Sequence, residues 1–238
     1  MVASARDVPT LPSAPSRASL ADAVHTSLLT WLMDGHAAPG SSLSIDGLAR
    51  DLGVSPTPVR EALARIESTG LVHRAALRGY RVADMLSALE VNDLMDARLL
   101  LECRNAALAT AHVDDALLAV LADTVERMDA APTGPGFAEY REYHAADNEF
   151  HHVLNRAGGN RFLAEAFEGL NGQIQRFRLR LVPGTGVTDA RLAVAEHGAI
   201  VEALRAREPE GVELAVREHL EQVRERALDD RESVAVSG

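Results

Sequence analysis

The sequence predicts a mainly α-helical protein built from an N-terminal winged helix-turn-helix and a C-terminal antiparallel all-helical bundle. Three observations predict this. Apolar residues recur three and four positions apart through most of the chain, the period of a helix with one buried face. Breaks rich in Gly and Pro cut that pattern into segments of ordinary helix length. Strand character is confined to a short stretch ending at Tyr80-Arg81-Val82, directly after two short helical segments.

Residues 1–17 are rich in Ala, Ser and Pro and lack periodicity, so a disordered tail is expected there. From Leu20, the positions Ala23, Val24, Leu28, Trp31 and Leu32 define a helix that ends near Gly35, with Trp31 as a core residue. Within residues 41–82, Ile45, Leu48, Ala49 and Leu52 form one apolar stripe and Val59, Ala62, Leu63 and Ile66 another, separated by Gly53-Val54-Ser55. That is two short helices joined by a tight turn. Ser55 suits an N-cap, Pro56 the first helical position, and Pro58 still falls in the first turn. The helix ends near Gly70, and the segment to Val82 reads as two short strands around a basic turn. In such a unit, expected over residues 18–83, the second helix can lie in a DNA major groove while the first crosses the phosphate backbone. Thr57 and Arg60 are then expected to meet bases or phosphates, Arg50 and Arg65 phosphates, and Arg78 at the wing tip an adjacent groove, with Ser55 and Gly79 beside them. Arg50 and Arg65 also read as solvated charges, and Glu61 stands four residues before Arg65.

After Val82 a short connection leads into a second unit, expected over residues 87–230 and helical throughout. Its predicted helices cover residues 89–111, 114–130, 137–155, 161–181 with an interruption at Gly169, 188–207 and 211–230. Six helices with short breaks and no strand signal make an antiparallel bundle. Asp147 and His151 are spaced i, i+4 and share a face with Tyr140, Tyr143, His144, Phe150 and Leu154. His197 sits inside the stripe Ala190, Ala193, Val194, Ile200, Val201 and Leu204; His219 sits inside Val212, Ala215, Val216, Leu220 and Val223. Three helices thus aim ligand-capable side chains inward. Buried imidazoles and carboxylates are costly unless paired or bound to a cation, which satisfies all four together. The alternative is that each is a satisfied core residue, and His144, three residues before Asp147, either replaces a ligand or packs beside one.

The net charge of -11 looks unsuited to a DNA binder until it is divided along the chain. Residues 41–83 hold six arginines against four acids, whereas residues 84–238 hold sixteen against twenty-eight. Positive charge is concentrated where phosphate contacts are expected. An excess of two is a weak electrostatic footprint, which argues for a homodimer. No apolar run approaches the ~20 residues of a membrane span and no signal pattern opens the chain, so a cytoplasmic protein without membrane attachment is expected. The single cysteine, Cys103, excludes an internal disulfide framework and a cysteine-rich zinc site.

Pro39-Gly40 with Leu43, Leu48-Ala49, Leu52-Gly53-Val54-Ser55, Thr57-Pro58-Val59-Arg60-Glu61-Ala62-Leu63, Gly70-Leu71-Val72 and Arg78-Gly79 together resemble the winged helix of the GntR family of bacterial transcription regulators. Many members of that family place an arginine where this chain has Pro56, which implies a different operator preference or weaker affinity here. Arg98-Leu99-Leu100-Leu101-Glu102, Asp147-Asn148-Glu149-Phe150-His151, Glu196-His197-Gly198-Ala199-Ile200 and the late His219 resemble the FCD effector domain, which marks the FadR branch. That resemblance implies a divalent metal held by Asp147, His151, His197 and His219, and three imidazoles with one carboxylate suit Zn or Ni. It also implies an organic-acid or sugar-acid effector whose carboxylate meets Arg98, with Asn171, Gln175 and Arg178 as further candidates in the pocket. Arg98 alternatively closes an internal salt bridge to Glu102. The expected function is a DNA-binding transcription regulator acting as a repressor, with double-stranded operator DNA as partner. A metal-dependent hydrolase-like enzyme is the rival class, but no HExxH pattern occurs and no general base stands out. A third option is a regulator whose metal is purely structural.

Overall fold

The computed structural model describes residues 17–75, 79–134, 136–177 and 190–237. The order of elements is α1 (Arg17–Met33), β1 (Ser42–Leu43), α2 (Ile45–Leu52), α3 (Pro56–Glu67), β2 (Val72–Ala75), β3 (Gly79–Val82), α4 (Ala88–Ala109), α5 (Asp115–Ala130), α6 (Phe137–Ala157), α7 (Arg161–Gly169), α8 (Asn171–Phe177), α9 (Ala190–Ala206) and α10 (Pro209–Ser237). The head is helical with a small wing, and the remainder is an all-helical bundle. Helix α1 begins at Arg17, so the segment expected to be a tail lies outside the described residues except for that one position.

In α1 the buried side chains are Ala21, Val24, Leu28, Leu32 and Met33. Ala23, expected inside, is exposed, and Trp31 is only partly buried against the core. Helix α3 buries the stripe read from the sequence, with Val59, Ala62, Leu63 and Ile66 fully enclosed; in α2 only Ala49 is buried, Ile45 and Leu48 are half-buried, and Leu52, expected inside, is exposed in the last turn before Gly53. Gly53 closes α2 in the left-handed conformation at φ 68°, which makes the turn tight. Ser55 occupies the N-cap of α3, but its hydroxyl makes no capping bond. The reason is local: the third helical residue is Pro58, which has no N–H to donate. Ser55 is exposed.

The wing is a three-stranded antiparallel sheet in the order β1-β3-β2. The β2/β3 hairpin pairs Val72 with Val82 and Ala75 with Gly79. The sequence reading missed β1, because two residues carry no periodicity of their own; Leu43 is recognisable as strand only through its pairing with Tyr80. Two further corrections concern the bundle. The predicted helix at 161–181 is broken at Leu170 into α7 and α8, giving seven bundle helices among the described residues instead of six. Pro209, taken as part of a separator, is the first residue of α10, where its missing N–H costs nothing.

Head and bundle share one continuous apolar core. Polar and backbone contacts among the described residues tie them, and the connection between them, together. The backbone N–H of Phe137, at the start of α6, donates to Asp34 Oδ1 just beyond α1 at 2.5 Å. Arg176 of α8 donates to the carbonyl of Asp84 from Nε at 3.1 Å and from Nη2 at 2.8 Å. Gly70, between α3 and β2, adopts φ +75° and lies so close to α8 that a Cβ would stand 2.6 Å from the Gly172 carbonyl oxygen. Gly70→Ala is therefore expected to destabilise the protein by about 1–3 kcal/mol, seen as a Tm drop of ~2–4 °C per kcal/mol in thermal unfolding followed by circular dichroism. Gly169→Ala is the control: nothing lies within 4 Å of a Cβ there, and no shift of comparable size is expected.

Candidate functional site

Helices α6, α9 and α10 bring His151, His197 and His219 together in the bundle core, each under 4% exposed. The periodicity that buries Phe150 and Leu154, Ile200 and Leu204, and Val216 and Leu220 carries the imidazoles inward with them. Their ligand-capable nitrogens lie within 4.8 Å of one another. His197 Nε2 is 3.4 Å from His151 Nε2 and 3.4 Å from Asp147 Oδ1, and His151 Nε2 is 3.9 Å from the same oxygen. Ligands about 2.0–2.1 Å from a shared tetrahedral ion stand roughly 3.3 Å apart. The three histidines form a group that could hold a divalent cation, and Asp147 lies beside two of them.

The other ring nitrogens are already committed. His151 Nδ1 faces Glu102 Oε2 at 2.7 Å, His197 Nδ1 faces the Ala193 carbonyl at 2.6 Å, and His219 Nδ1 faces Glu196 Oε2 at 2.8 Å. All three partners can only accept, so each ring carries its proton on Nδ1 and leaves the Nε2 lone pair for the cluster. Burial pushes His197 down to about 3, with the neighbouring His219 adding to the effect, and burial lowers His219 as well. Both shifts favour neutral His197 and His219 rings, the state that ligates. Burial by itself would raise Glu102, but Arg98 and His151 outweigh it and hold this carboxyl at about 2; His219 and Arg226 likewise hold Glu196 at about 2. Arg226 grips Glu196 with both terminal nitrogens, at 2.7 and 3.1 Å.

Arg98 is 3% exposed and joins its Nε to Glu102 Oε1 at 2.6 Å, the salt bridge given above as the alternative to an effector contact. Its terminal nitrogens make only a 4.0 Å contact to Met95 Sδ among the described residues. That edge of the guanidinium still has donors for an anion. Asn171 and Gln175 are not brought to the histidines by hydrogen bonds; Gln175 Nε2 donates to Asn171 Oδ1 at 3.4 Å, on the helix seated against the head. Arg178 lies outside the described residues. His144 packs edge-on against Phe137, ring centroids 5.9 Å apart. Cys103 is buried, and burial pushes its thiol up to about 11.

Sequence reasoning missed Glu196 and treated Glu102 only as a partner for Arg98. It also missed the buried pair Asn105 and Asn155, in which Asn105 Nδ2 donates to Asn155 Oδ1 at 2.8 Å and Asn155 Nδ2 to the His151 carbonyl at 2.8 Å. The available signal was a polar residue at core spacing: Glu102, Asn105 and Asn155 recur on faces that also carry Val91, Leu94 and Leu154.

On the head, the outer face of α3 exposes Ser55, Thr57, Arg60 and Arg65, and Arg50 is exposed at the end of α2. Arg65 is held by Asp22 of α1 at 2.6 Å, not by Glu61 as its spacing suggested. Arg74 is bound to Glu67 and Tyr80, and Arg81 to the Gly40 carbonyl. Arg50 and Arg60 have no such partner among the described residues. Gly79 is fixed by a structural demand: at φ +95°, a Cβ there would stand 2.6 Å from the Leu43 carbonyl oxygen across the sheet. Arg78 lies outside the described residues.

The FCD domain family matches residues 93–222, and the family described as bacterial regulatory proteins, gntR family, matches residues 20–82. The uncharacterized HTH-type transcriptional regulator YdhC of Bacillus subtilis is 26% identical over 195 residues, 82% of this chain and 85% of that protein. The HTH-type transcriptional repressor RspR of Escherichia coli is 25% identical over 188 residues, 79% of this chain and 80% of that protein. Among solved structures, E. coli McbR/YncC aligns with a TM-score of 0.66 at 23% identity, covering 89% of this chain and 98% of that one. The last likeness is one of fold.

Proposed function

The chain belongs to the FCD-domain group of the gntR family of bacterial regulatory proteins, and from that premise we propose that it is a repressor whose operator affinity is set by a small carboxylate bound beside a divalent metal. It is a transcription regulator by family; the sign, the metal and the effector are our reading. The observation that carries the reading is the set of three buried Nε2 lone pairs, each fixed by a committed Nδ1, with a buried guanidinium on the same acid network.

In this reading His151, His197, His219 and Asp147 hold Zn or Ni, the ions that three imidazoles and a carboxylate favour. When bound, that ion supplies a positive Lewis-acidic centre in a dry core. Arg98 orients the effector through its terminal nitrogens, the natural mate of a carboxylate. Helix α6 carries both Asp147 and His151, and its first N–H is held by Asp34 of the head, so a shift of α6 is passed to the DNA-binding unit. Asp34 also complements the positive end of that helix. In a homodimer such a shift alters the spacing of two α3 helices and thereby the fit to two half-sites. Only an effector that distinguishes the two arrangements can drive it. The similarity to the transcriptional repressor RspR supports the sign of regulation. No described helix is long and apolar enough to cross a membrane, in keeping with a protein that works on DNA in the cytoplasm.

A second reading is favoured by the Arg98–Glu102 bond itself: a bundle closed by a structural metal, with Arg98 already satisfied. One experiment separates the two. Operator duplexes are selected from a random library by the zinc-loaded protein, then titrated with a panel of organic and sugar acids while binding is followed by fluorescence anisotropy. At least one acid is expected to weaken operator binding tenfold or more, and Arg98→Ala is expected to remove that response while leaving DNA affinity intact. Response unchanged in Arg98→Ala sinks the carboxylate pocket, and failure to select any duplex sinks the DNA reading.

A further inference from the structure

Glu102 stands at 0% exposure between two groups that have separate tasks in the proposed function. Its Oε1 accepts from Arg98 Nε at 2.6 Å and its Oε2 from His151 Nδ1 at 2.7 Å. The other two histidines are fixed differently. His197 leans on a backbone carbonyl, and His219 on Glu196, whose second partner is Arg226. Among the described residues, Glu102 is the one that joins a metal-facing imidazole to the guanidinium read as the carboxylate anchor.

We propose that Glu102 is a positioning residue that makes metal binding at His151 and carboxylate binding at Arg98 mutually reinforcing. The inference rests on the reading of the His cluster as a metal site and of Arg98 as an anion site. Its physical basis is a shared acceptor. An anion on the terminal edge of Arg98 competes with Glu102 for the guanidinium charge, so Glu102 pulls harder on the Nδ1–H of His151. His151 Nε2 then becomes a stronger donor. Conversely, once Nε2 is committed as a ligand, the Nδ1–H of His151 becomes a stronger donor to Glu102. Glu102 then loosens its hold on Arg98. Reciprocity requires the two affinities to rise by the same factor, typically about 5- to 150-fold for coupled sites.

A glutamine at this position can still accept from Arg98, but its amide presents a donor toward His151 Nδ1 and drives the ring proton to Nε2. The lone pair is then lost from the cluster. The test uses the full-length protein, zinc affinity by competition with a chromophoric chelator, and long-range proton–nitrogen spectra of the metal-free histidines. Glu102→Gln is expected to move His151 out of the Nδ1–H tautomer and to weaken zinc binding roughly 10- to 100-fold. Glu102→Asp, which keeps the charge and the acceptor, is expected to retain the tautomer and recover part of the affinity. Arg98→Met frees Glu102 for His151 and is expected to tighten zinc binding in the wild-type background but not in Glu102→Gln. An Arg98→Met effect of equal size in both backgrounds reflects charge removal alone and overturns the coupling. Zinc binding and tautomer unaffected by Glu102→Gln overturn it as well, with the metal site left standing. If the wild-type protein binds no zinc, the metal reading falls and the coupling with it.

Discussion

Replacing His151, His197 and His219 together by alanine is expected to abolish divalent-metal binding, from about one ion per chain to none. Each side chain places a ring nitrogen within 4.8 Å of one from each of the other two, and Asp147 by itself is one carboxylate. A ligand that binds only the folded state at about 100 times its Kd stabilises by ~2.7 kcal/mol. For a chain of this length that corresponds to roughly 5–10 °C in Tm. Zinc should therefore raise the Tm of the wild-type protein by that amount and leave the triple variant unmoved; elemental analysis is the direct check. No ion in the wild-type protein after reconstitution with Zn and Ni would return these residues to core duty.

Two of these histidines, His197 and His219, set an acid sensitivity of the metal-free protein. Burial holds His197 at about 3 in the folded state, whereas an unfolded histidine titrates near its usual ~6.5. Between those values the unfolded chain binds the extra proton, so unfolding is favoured as pH falls. The contribution to stability is complete above about 6.5 and is lost progressively toward 3. His219 is lowered in the same sense and adds to the slope. Urea midpoints of the metal-free protein should fall between pH 7 and pH 5, and the triple variant should show a flatter dependence; equal slopes would contradict the assignment.

Arg60→Ala is expected to cost about 1–3 kcal/mol of operator binding per half-site if it reads a base, and a homodimer loses that contact twice. Arg60 lies on the exposed face of α3 with no described partner. Arg65, five residues further along the helix, is tied to Asp22, and both side chains are more than half exposed. A surface pair of that kind contributes ~0–1 kcal/mol to stability. Arg65→Ala should therefore affect operator affinity much less than Arg60→Ala, in anisotropy titrations at fixed salt. Equal losses would show that α3 meets DNA through a different part of its face.

Much of this protein is determined by local rules. Gly53 and Gly70 punctuate the head because few residues replace glycine at a positive φ. A 3.6-residue period fixes which face of each helix is apolar, and His151, His197 and His219 lie on such faces. Their inward direction was therefore legible, as were the head, the hairpin and the helical bundle. What the tertiary structure decided is who meets whom. Glu102 stands 49 residues from His151, and Glu196 stands 23 from His219. Asp22 displaced Glu61 as the partner of Arg65 across 43 residues. The strand character of Ser42 and Leu43 exists only through β3, and α8 went to the head instead of bringing Asn171 and Gln175 into hydrogen bonds with the cluster. Periodicity orients a side chain about its own helix axis, but the partner it finds depends on the order and relative rotation of helices distant in sequence, which no local pattern encodes.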